Sequence, residues 1–354
     1  MSNVIQTPVS SVTWSATGLP DGCTLGEHTG IITGTPTTTG DYTVNLTAES
    51  NWGTATGSIT IYVKDGPTRY AVRRDGNELT RISMADLKQK IADRTLEETF
   101  QVGDQLILPW TDPYNGTEYE CPMNFGTIKN FTLEDDSPAY GLGLQAEYAL
   151  PVCGYIQFDS KEPSNPDSGP RSYGYSRWSV SNIRQWMNAR GKPWYSAQHE
   201  ADAEPTYAVY KSISGLLDSF PVDLLDVLTP VKNVTRAPSG GLDVTLDTLF
   251  LLSTHELFAN PSSDALDDDT EGAYWRIWKL RTGLEDFQTT KSNDSTQEAY
   301  RRYKIENHSN STSVYLRNCY GNLPWKVWCM DGSGCFSSDY PSLERRLTPA
   351  CAIC

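Results

Sequence analysis

The sequence predicts a small all-β sandwich followed by a larger α+β domain. Its 354 residues exceed what one ordinary hydrophobic core organises. Residues 12–63 form short runs of alternating polarity, interrupted by Gly, Pro, Asn and Asp every 8–12 residues, which is typical of a sandwich. Helical and strand patterns alternate irregularly beyond that stretch. We therefore predict a sandwich at 1–65, a connector with a short helix at 66–97, and the larger domain at 98–354.

The sandwich prediction depends on two strand patterns and the turns between them. Residues 41–48 and 57–63 alternate apolar and polar side chains. Gly18-Leu19-Pro20-Asp21-Gly22 and residues 29–36, with Trp14 before them, closely resemble the bacterial immunoglobulin-like repeat family. The resemblance implies an immunoglobulin-like β-sandwich. Members of that family are spacer and adhesive modules, so the resemblance says little about a ligand.

Three helices are predicted from apolar stripes of helical spacing, at residues 83–91, 181–191 and 221–228. Each begins at a residue suited to a helix N-terminus, and Gly191 is expected to end the second. The starting residues are Ser83, Ser179 or Ser181, and Pro221. The stripes are Leu87 and Ile91; Ile183, Trp186 and Met187; and Leu224, Leu225 and Leu228. Strands are predicted at 100–108, 155–158, 231–237 and 247–252, and near the C-terminus.

Charge and composition exclude several classes of protein. The net charge is −15 and the pI is near 4.7, which repels phosphate backbones and argues against a nucleic-acid partner. No apolar run approaches the length of a membrane span, so no membrane insertion is expected. The first residues lack the basic end and apolar core of a secretion signal, so we expect cytoplasmic synthesis and mostly free thiols among the eight cysteines.

An ordered series of short motifs in the larger domain resembles one protein family. The series is Val102-Gly103-Asp104, residues 182–188, 249–256 and 271–275, Tyr315-Leu316-Arg317 and Pro349-Ala350-Cys351. It is similar to bacterial and phage domains with a C-type-lectin fold, in the branch shared with formylglycine-generating enzymes. The resemblance covers about 98–354, and its specificity lies in the order of the motifs. It implies a C-type-lectin-fold domain.

The C-terminal region at 314–354 is similar to the variable proteins of diversity-generating retroelements. Regular frame residues there bracket two chemically mixed segments, 319–325 and 335–342. The resemblance implies that these segments form a diversified, ligand-binding surface. Its implied contact residues are Tyr320, Asn322, Leu323, Pro324, Phe336, Ser337, Ser338, Asp339, Tyr340 and Ser342. Its implied scaffold residues are Arg317, Trp325 and Trp328. The mixture of aromatic anchors and adaptable polar groups is independently typical of binding loops.

In such retroelements, error-prone reverse transcription randomises adenine-containing codons near the 3′ end of the gene. This mutagenesis predicts which residues stay constant. Randomised adenines in AAC or AAT codons can encode Tyr, Asn, Leu, Pro, Cys, Phe, Ser or Asp, but never Trp, Lys, Met, Gln or Glu. We therefore expect constant scaffold at Trp325, Lys326, Trp328, Met330 and Glu344. The variable side chains should point to solvent and contribute little to folding.

Cysteine chemistry is the strongest competing hypothesis. Cys329 and Cys335 are candidates for a reactive pair, because the related enzymes oxidise cysteine, but only Lys326 is a nearby base in sequence. Cys351 and Cys354 complete four sulfurs that resemble a zinc site. Strand alternation would point these last two to opposite faces, so we favour buried free thiols.

Other ion and cofactor sites find little support. The acidic run at 264–271 lacks the bidentate Glu that an EF-hand needs at its twelfth position. No phosphate-binding glycine loop is present in the sequence, and the histidines match no protease spacing. We expect no catalytic residue, no metal and no cofactor.

The sequence therefore predicts a non-enzymatic receptor-binding protein, consistent with phage host attachment through a host-surface protein or glycan. The predicted location is the virion tail, with the bacterial cell surface as the alternative, and a homo-oligomer such as a trimer would suit a virion. Two alternatives stay open: a cysteine-dependent modifying enzyme of the formylglycine-generating type, and a purely structural virion or surface protein.

Overall fold

The computed structural model describes most of the chain, which divides into two compact units, Met1–Thr68 and Arg69–Cys354. The described residues are 12–34, 36, 38, 40–63, 68–113, 115–150, 156–159, 173–191, 214–238, 240–257, 273, 275–278, 312–321, 323–331 and 336–354. The protein is mostly β. No described helix is long and apolar enough to cross a membrane.

The first unit is built from antiparallel strands, as the alternation predicts. Its strands are β1 (Thr13–Thr17), β2 (Cys23–Leu25), β3 (Ile32–Gly34), β4 (Gly40–Ser50) and β5 (Gly53–Val63). They form a β1-β4-β5 sheet and a β2-β3 pair. A side chain at Gly34 would place its Cβ 2.1 Å from the Gly22 carbonyl oxygen, so this predicted turn requires glycine. Val44 is fully buried, whereas Ile59 and Tyr62 are exposed.

The second unit holds the remaining strands and the helices. Its described strands are β6 (Arg69–Arg74), β7 (Asn77–Ser83), β8 (Gln105–Thr111), β9 (Glu118–Thr132), β10 (Pro138–Ala146), β11 (Ile156–Gln157), β12 (Val231–Arg236), β13 (Leu242–Asp247), β14 (Leu249–Phe250), β15 (Val314–Cys319), β16 (Val327–Met330), β17 (Phe336–Asp339), β18 (Glu344–Arg345) and β19 (Ala350–Ile353). Its described helices are α1 (Met84–Ala92), α2 (Asn182–Met187), α3 (Val222–Leu225) and α4 (Thr254–Leu257).

A seven-stranded sheet with the order β14-β19-β10-β9-β8-β6-β7 organises this unit. The segment 69–97, predicted as a connector, belongs to it, so that prediction was wrong. Val72 of β6 pairs with Leu106 of β8, and α1 buries Leu87 and Ile91 in the same core. The error has a physical reason, because the basic residues lie at the two ends of β6, where they flank the buried run Tyr70–Val72 and hide a short strand in a polar sequence.

The helix starts follow the sequence more closely than the helix ends. The Ser83 hydroxyl accepts a hydrogen bond from the Asp86 amide, and Ser181 accepts one from Arg184, which confirms both caps. The second helix ends at Met187, with Asn188 as its C-cap, before the predicted Gly191. The third covers only Val222–Leu225 after Pro221.

Two strand predictions need revision. Residues 100–104, expected to begin a strand, precede β8 and close a turn on the buried Asp104, which accepts from the Gln101 amide and from Arg74. The stretch 247–252 is interrupted, with β13 ending at Asp247 and β14 covering two residues. The strand predicted at 231–237 is confirmed as β12.

The core continues from the seven-stranded sheet towards the C-terminal strands. Trp275 is fully buried against β9 and β10 at Gly126 and Gly143, where a Cβ would lie 2.3 and 2.9 Å from its ring. The second unit also contains three smaller, separate sheets: β11-β18, β12-β13 and β15-β16-β17. Of the predicted contact residues, Phe336–Asp339 form β17, and the other described ones follow β15 or β17 in the chain.

Candidate ligand-binding surface

The C-terminal strands form an antiparallel sheet with the order β15-β16-β17. Trp328 pairs with Ser338 and Cys329 with Ser337. The segment 335–342, which we took to be a loop between regular strand residues, contains a strand, since Phe336–Asp339 form β17. Backbone pairing with β16 explains the difference, since it requires no particular side chains. Asn322 and the side chain of Phe336 lie outside the described residues.

Both predicted surface segments are held through their main-chain atoms. The buried Tyr315 hydroxyl lies 2.6 Å from the Leu343 carbonyl oxygen and 3.0 Å from that of Tyr340. The side-chain Nε2 of Gln157 donates to the Ser342 carbonyl oxygen at 2.7 Å. These contacts fix the backbone of the second segment whatever side chains it carries.

The first segment is held in the same way by one residue. The Ser176 amide donates to the Pro324 carbonyl oxygen at 2.9 Å, and the Ser176 hydroxyl donates to that of Leu323 at 3.2 Å. Ser176 is fully buried. The two segments therefore share a mode of attachment although their sequences are unrelated.

An aromatic and cationic cluster lies between the two segments. The Lys326 Nζ lies 5.8 Å from the ring centroid of Tyr320 and 5.8 Å from that of Tyr340, and 3.3 Å from the Ser338 hydroxyl. Tyr340 stacks on Tyr173, with ring centroids 4.3 Å apart and an interplanar angle of 17°. We call these five residues the tyrosine–lysine cluster. It brings together three predicted contact residues, one predicted constant residue and Tyr173, which sequence reasoning missed.

Two predicted contact residues also contribute to packing, contrary to the expectation that such side chains only face solvent. Tyr320 is partly buried and lies 4.6 Å from the Trp328 ring. Asp339 accepts a hydrogen bond from the Arg345 Nε at 2.9 Å. Ser337, Leu323, Pro324 and Ser342 are partly exposed.

The predicted scaffold residues lie under or beside this surface. Trp328 is buried and Trp325 is half-buried. Arg317 is 1% exposed, donates to the Leu251 carbonyl oxygen at 2.9 Å and pairs with the buried Glu256. This burial leaves Arg317 no contact with a macromolecular ligand and gives it a role in holding β15.

The sequence analysis overlooked two buried aspartates of the scaffold, one of which also contacts a surface segment. Asp159 accepts from the amides of Tyr175 and Asn182 at 2.9 and 3.0 Å, and its own amide donates to the Pro341 carbonyl oxygen. Asp247 accepts from Arg184 at 2.6 Å and from Thr245, Asn233 and Trp178. The available signal for Asp247 was its place at an inward position of an alternating strand.

The motif at 182–188 is structural. The Asn188 side-chain oxygen accepts from the amides of Thr248 and Leu249 at 2.8 and 3.0 Å, and the Trp186 indole donates to the Ser214 carbonyl oxygen at 2.7 Å. The motif thus fixes β14 against α2 and carries no exposed reactive group.

The cysteines of this region lie in surroundings that oppose thiolate formation. Burial raises the pKa of Cys329 to about 12, with the nearby Asp339 acting in the same direction. Burial also raises the pKa of Cys351 to about 12 and that of Cys354 to about 11. A nucleophilic cysteine needs the opposite shift. Cys335 and the acidic run at 264–271 lie outside the described residues.

No group of three side chains suited to a metal ion occurs among the described residues. Cys351 is buried and forms part of the core, whereas Cys354 is partly exposed and its amide donates to the Thr229 hydroxyl. The six cysteines that the structure describes are free thiols.

Family comparisons identify the class of each part. Residues 2–64 match the family described as "Putative Ig domain", so the first unit carries an immunoglobulin-like domain. Residues 155–353 match the family described as "Domain of unknown function (DUF6273)". That match spans more than half of the chain, and the chain belongs to this family.

Comparisons with individual proteins add little. No curated protein matches the chain. A crystal structure described as a putative alpha-galactosidase/melibiase from Bacteroides fragilis is 31% identical over 25% of this chain and 19% of that chain, with a TM-score of 0.15. A second putative alpha-galactosidase from the same organism is 33% identical over 27% and 20%, also with a TM-score of 0.15. The chain spans about a fifth of the length of these proteins.

Proposed function

We propose that the chain is a non-enzymatic attachment protein of a phage, whose C-terminal surface binds a protein or glycan on the host cell. In this proposal the second unit is a C-type-lectin fold, and a diversity-generating retroelement varies its terminal codons. The protein would act on the virion tail, without cofactor or metal.

The main-chain attachment of both surface segments is the observation that carries the proposal. Among the described contacts, Tyr315, Gln157 and Ser176 donate hydrogen bonds to main-chain carbonyl groups in or directly beside those segments. A surface that must accept many side chains can keep one shape only if its restraints do not depend on those side chains. Antibody loops meet the same demand with a rigid framework beneath adaptable residues.

The placement of residues that the proposed mutagenesis cannot produce gives further support. Trp328 and Met330 are buried in β16. The described contact residues are partly exposed, as Trp325 and Lys326 are, so burial distinguishes only Trp328 and Met330 from them. Tyr320 and Asp339 reduce this distinction through the packing contacts described above.

A cell-binding experiment tests the proposal. The purified, fluorescently labelled full chain would be titrated onto a panel of bacterial strains and measured by flow cytometry. The double variant Tyr320→Ala/Tyr340→Ala should lose binding to any strain that the parent protein labels. Tyr140→Ala is the matched control, since Tyr140 is another partly buried tyrosine packed on the same core.

The DNA next to this gene provides an independent test of the proposed retroelement. A reverse transcriptase gene and a near-copy of the 3′ end of this gene are expected beside it. Cell binding that survives the double variant, together with the absence of both DNA elements, would overturn the proposal.

A further inference from the structure

We propose that the tyrosine–lysine cluster binds an acidic saccharide, with the carboxylate of the sugar on Lys326 and its C–H groups against the edges of the stacked Tyr173 and Tyr340 rings. This inference rests on the proposed function and names the ligand class of the same surface. It follows from the position of one cation, the charges around it, and the flat rings beside it.

Lys326 is held in a fixed place on the surface. Its main chain accepts from the Tyr320 amide at 2.9 Å and donates to the Leu323 carbonyl oxygen at 3.1 Å. Its ammonium group is placed by the Ser338 hydroxyl and by the two tyrosine rings on either side. Ring faces attract a cation but leave its remaining N–H donors open to a ligand.

The ammonium group of Lys326 has no carboxylate partner among the described residues. The nearest acidic residue in the paired strand, Asp339, is engaged by Arg345. In a chain with a net charge of −15, a half-buried cation without a paired anion is a local exception. Because salt screens charges beyond about 8–10 Å, a small anion at contact distance responds to Lys326 more than to the distant acidic residues.

The rings next to Lys326 favour a saccharide over an acidic peptide. Tyr173 is 41% exposed and lies nearly parallel to Tyr340, and Leu343 beside them is 38% exposed. Because the two rings are stacked on each other, they present their edges, which with Leu343 offer an apolar surface next to hydroxyl groups and one cation. The C–H face of a sugar ring packs on such a surface while its hydroxyls bind the polar groups. An acidic peptide would need main-chain partners or a groove, which these contacts do not supply.

A matched pair of sugars tests the inference directly. Glucuronate and glucose share a ring and differ in one carboxylate, so isothermal titration of the full chain with each isolates the charge. Glucuronate should bind about fivefold more tightly than glucose, as one partly exposed ion pair allows, and this preference should shrink as salt is added.

Substitutions at Lys326 separate its charge from its packing. Lys326→Met keeps the length of the side chain and should reduce glucuronate affinity to that of glucose, while Lys326→Arg should retain the preference. Lys90→Met, on α1, is the control and should change nothing. Thermal melts of all three should match the parent protein.

Three results would overturn the inference: equal binding of both sugars, no detectable binding of either, or a preference that survives Lys326→Met. Binding of polyglutamate in place of glucuronate would assign the surface to acidic peptides. If the sugars fail but Tyr320→Ala/Tyr340→Ala still abolishes cell binding, the attachment function stands and only the ligand class is wrong.

Discussion

Buried ion pairs and contacts to main-chain carbonyl groups stabilise two regions of the second unit in different ways. In the ion pairs, charged side chains bind each other, as Arg317 binds Glu256 and Arg184 binds Asp247. In the surface segments, buried side chains bind main-chain carbonyl groups. The difference shows where the sequence can change. A pair of side chains requires a particular residue at both positions, whereas a contact to a main-chain carbonyl group requires a particular residue at only one.

Breaking the buried pair should give the largest effect. Arg317→Ala leaves the carboxylate of Glu256 buried, and losing one partner of such a pair costs about 3–5 kcal/mol of unfolding free energy. Urea denaturation followed by fluorescence measures it. The double variant Arg317→Ala/Glu256→Ala should be less destabilised than the sum of the single ones. Additive losses would show that the two side chains do not act as a pair.

At the surface, stability and binding should separate. Tyr340→Ala should lower receptor affinity by about 2 kcal/mol as an aromatic anchor. It should cost about 1 kcal/mol of stability, since it loses the stacking on Tyr173 and the contact of the ring with the Lys326 ammonium group. Cell titration and a melt of the same preparation compare the two. If Tyr340→Ala is strongly destabilised but its folded fraction binds the receptor with normal affinity, Tyr340 belongs to the core and not to the binding surface.

Removing one buried hydroxyl group that holds the surface backbone should make that backbone more mobile without changing any surface side chain. Tyr315→Phe deletes the hydroxyl group near the carbonyl oxygens of Tyr340 and Leu343 and should cost about 1–2 kcal/mol. Hydrogen exchange should rise at 340–343 and stay unchanged in β9. Unaltered exchange in both regions would contradict the tethering role.

Thiol reactivity should be the smallest effect at neutral pH. The pKa of Cys351 and that of Cys329 are raised to about 12 by burial, so iodoacetamide at pH 8 should label the partly exposed Cys23 well before them. Burial favours the neutral thiols, so their contribution to stability is complete below pH 9 and declines as the pH rises towards 12. Rapid labelling of Cys329 at pH 8 would instead revive a reactive site.

Local signals predicted local structure well. Ser83 and Ser181 cap helices because an N-terminal hydroxyl satisfies a free amide whatever surrounds it. Alternation predicted the strands β4 and β5 but not which of their side chains are buried. Ile59 and Tyr62 are exposed, because an apolar side chain on a strand is buried only where other residues pack on that face. The connector was mistaken because strand order is set by tertiary pairing, which β6 finds in the distant β8.

The surface was predicted from composition and resemblance, and its geometry was not. Tyr320, Ser338 and Tyr340 all lie around Lys326, and their role in binding stays a prediction. Tyr173 was missed because it joins the cluster from a segment far away in sequence. Asp159 and Asp247 were missed for a related reason, since a buried aspartate differs from a solvated one only through its partners in space.

Sequencing this gene from the codon of Gln157 to its 3′ end across related isolates tests the central claim most directly. The account predicts that changes concentrate at Tyr320, Asn322, Leu323, Pro324, Phe336, Ser338, Asp339 and Tyr340. It also predicts constancy at Tyr315, Ser176, Gln157, Lys326 and Trp328, whose side chains hold or centre the surface. Variation spread evenly over 314–354, or concentrated at Lys326 and Trp328, would contradict it.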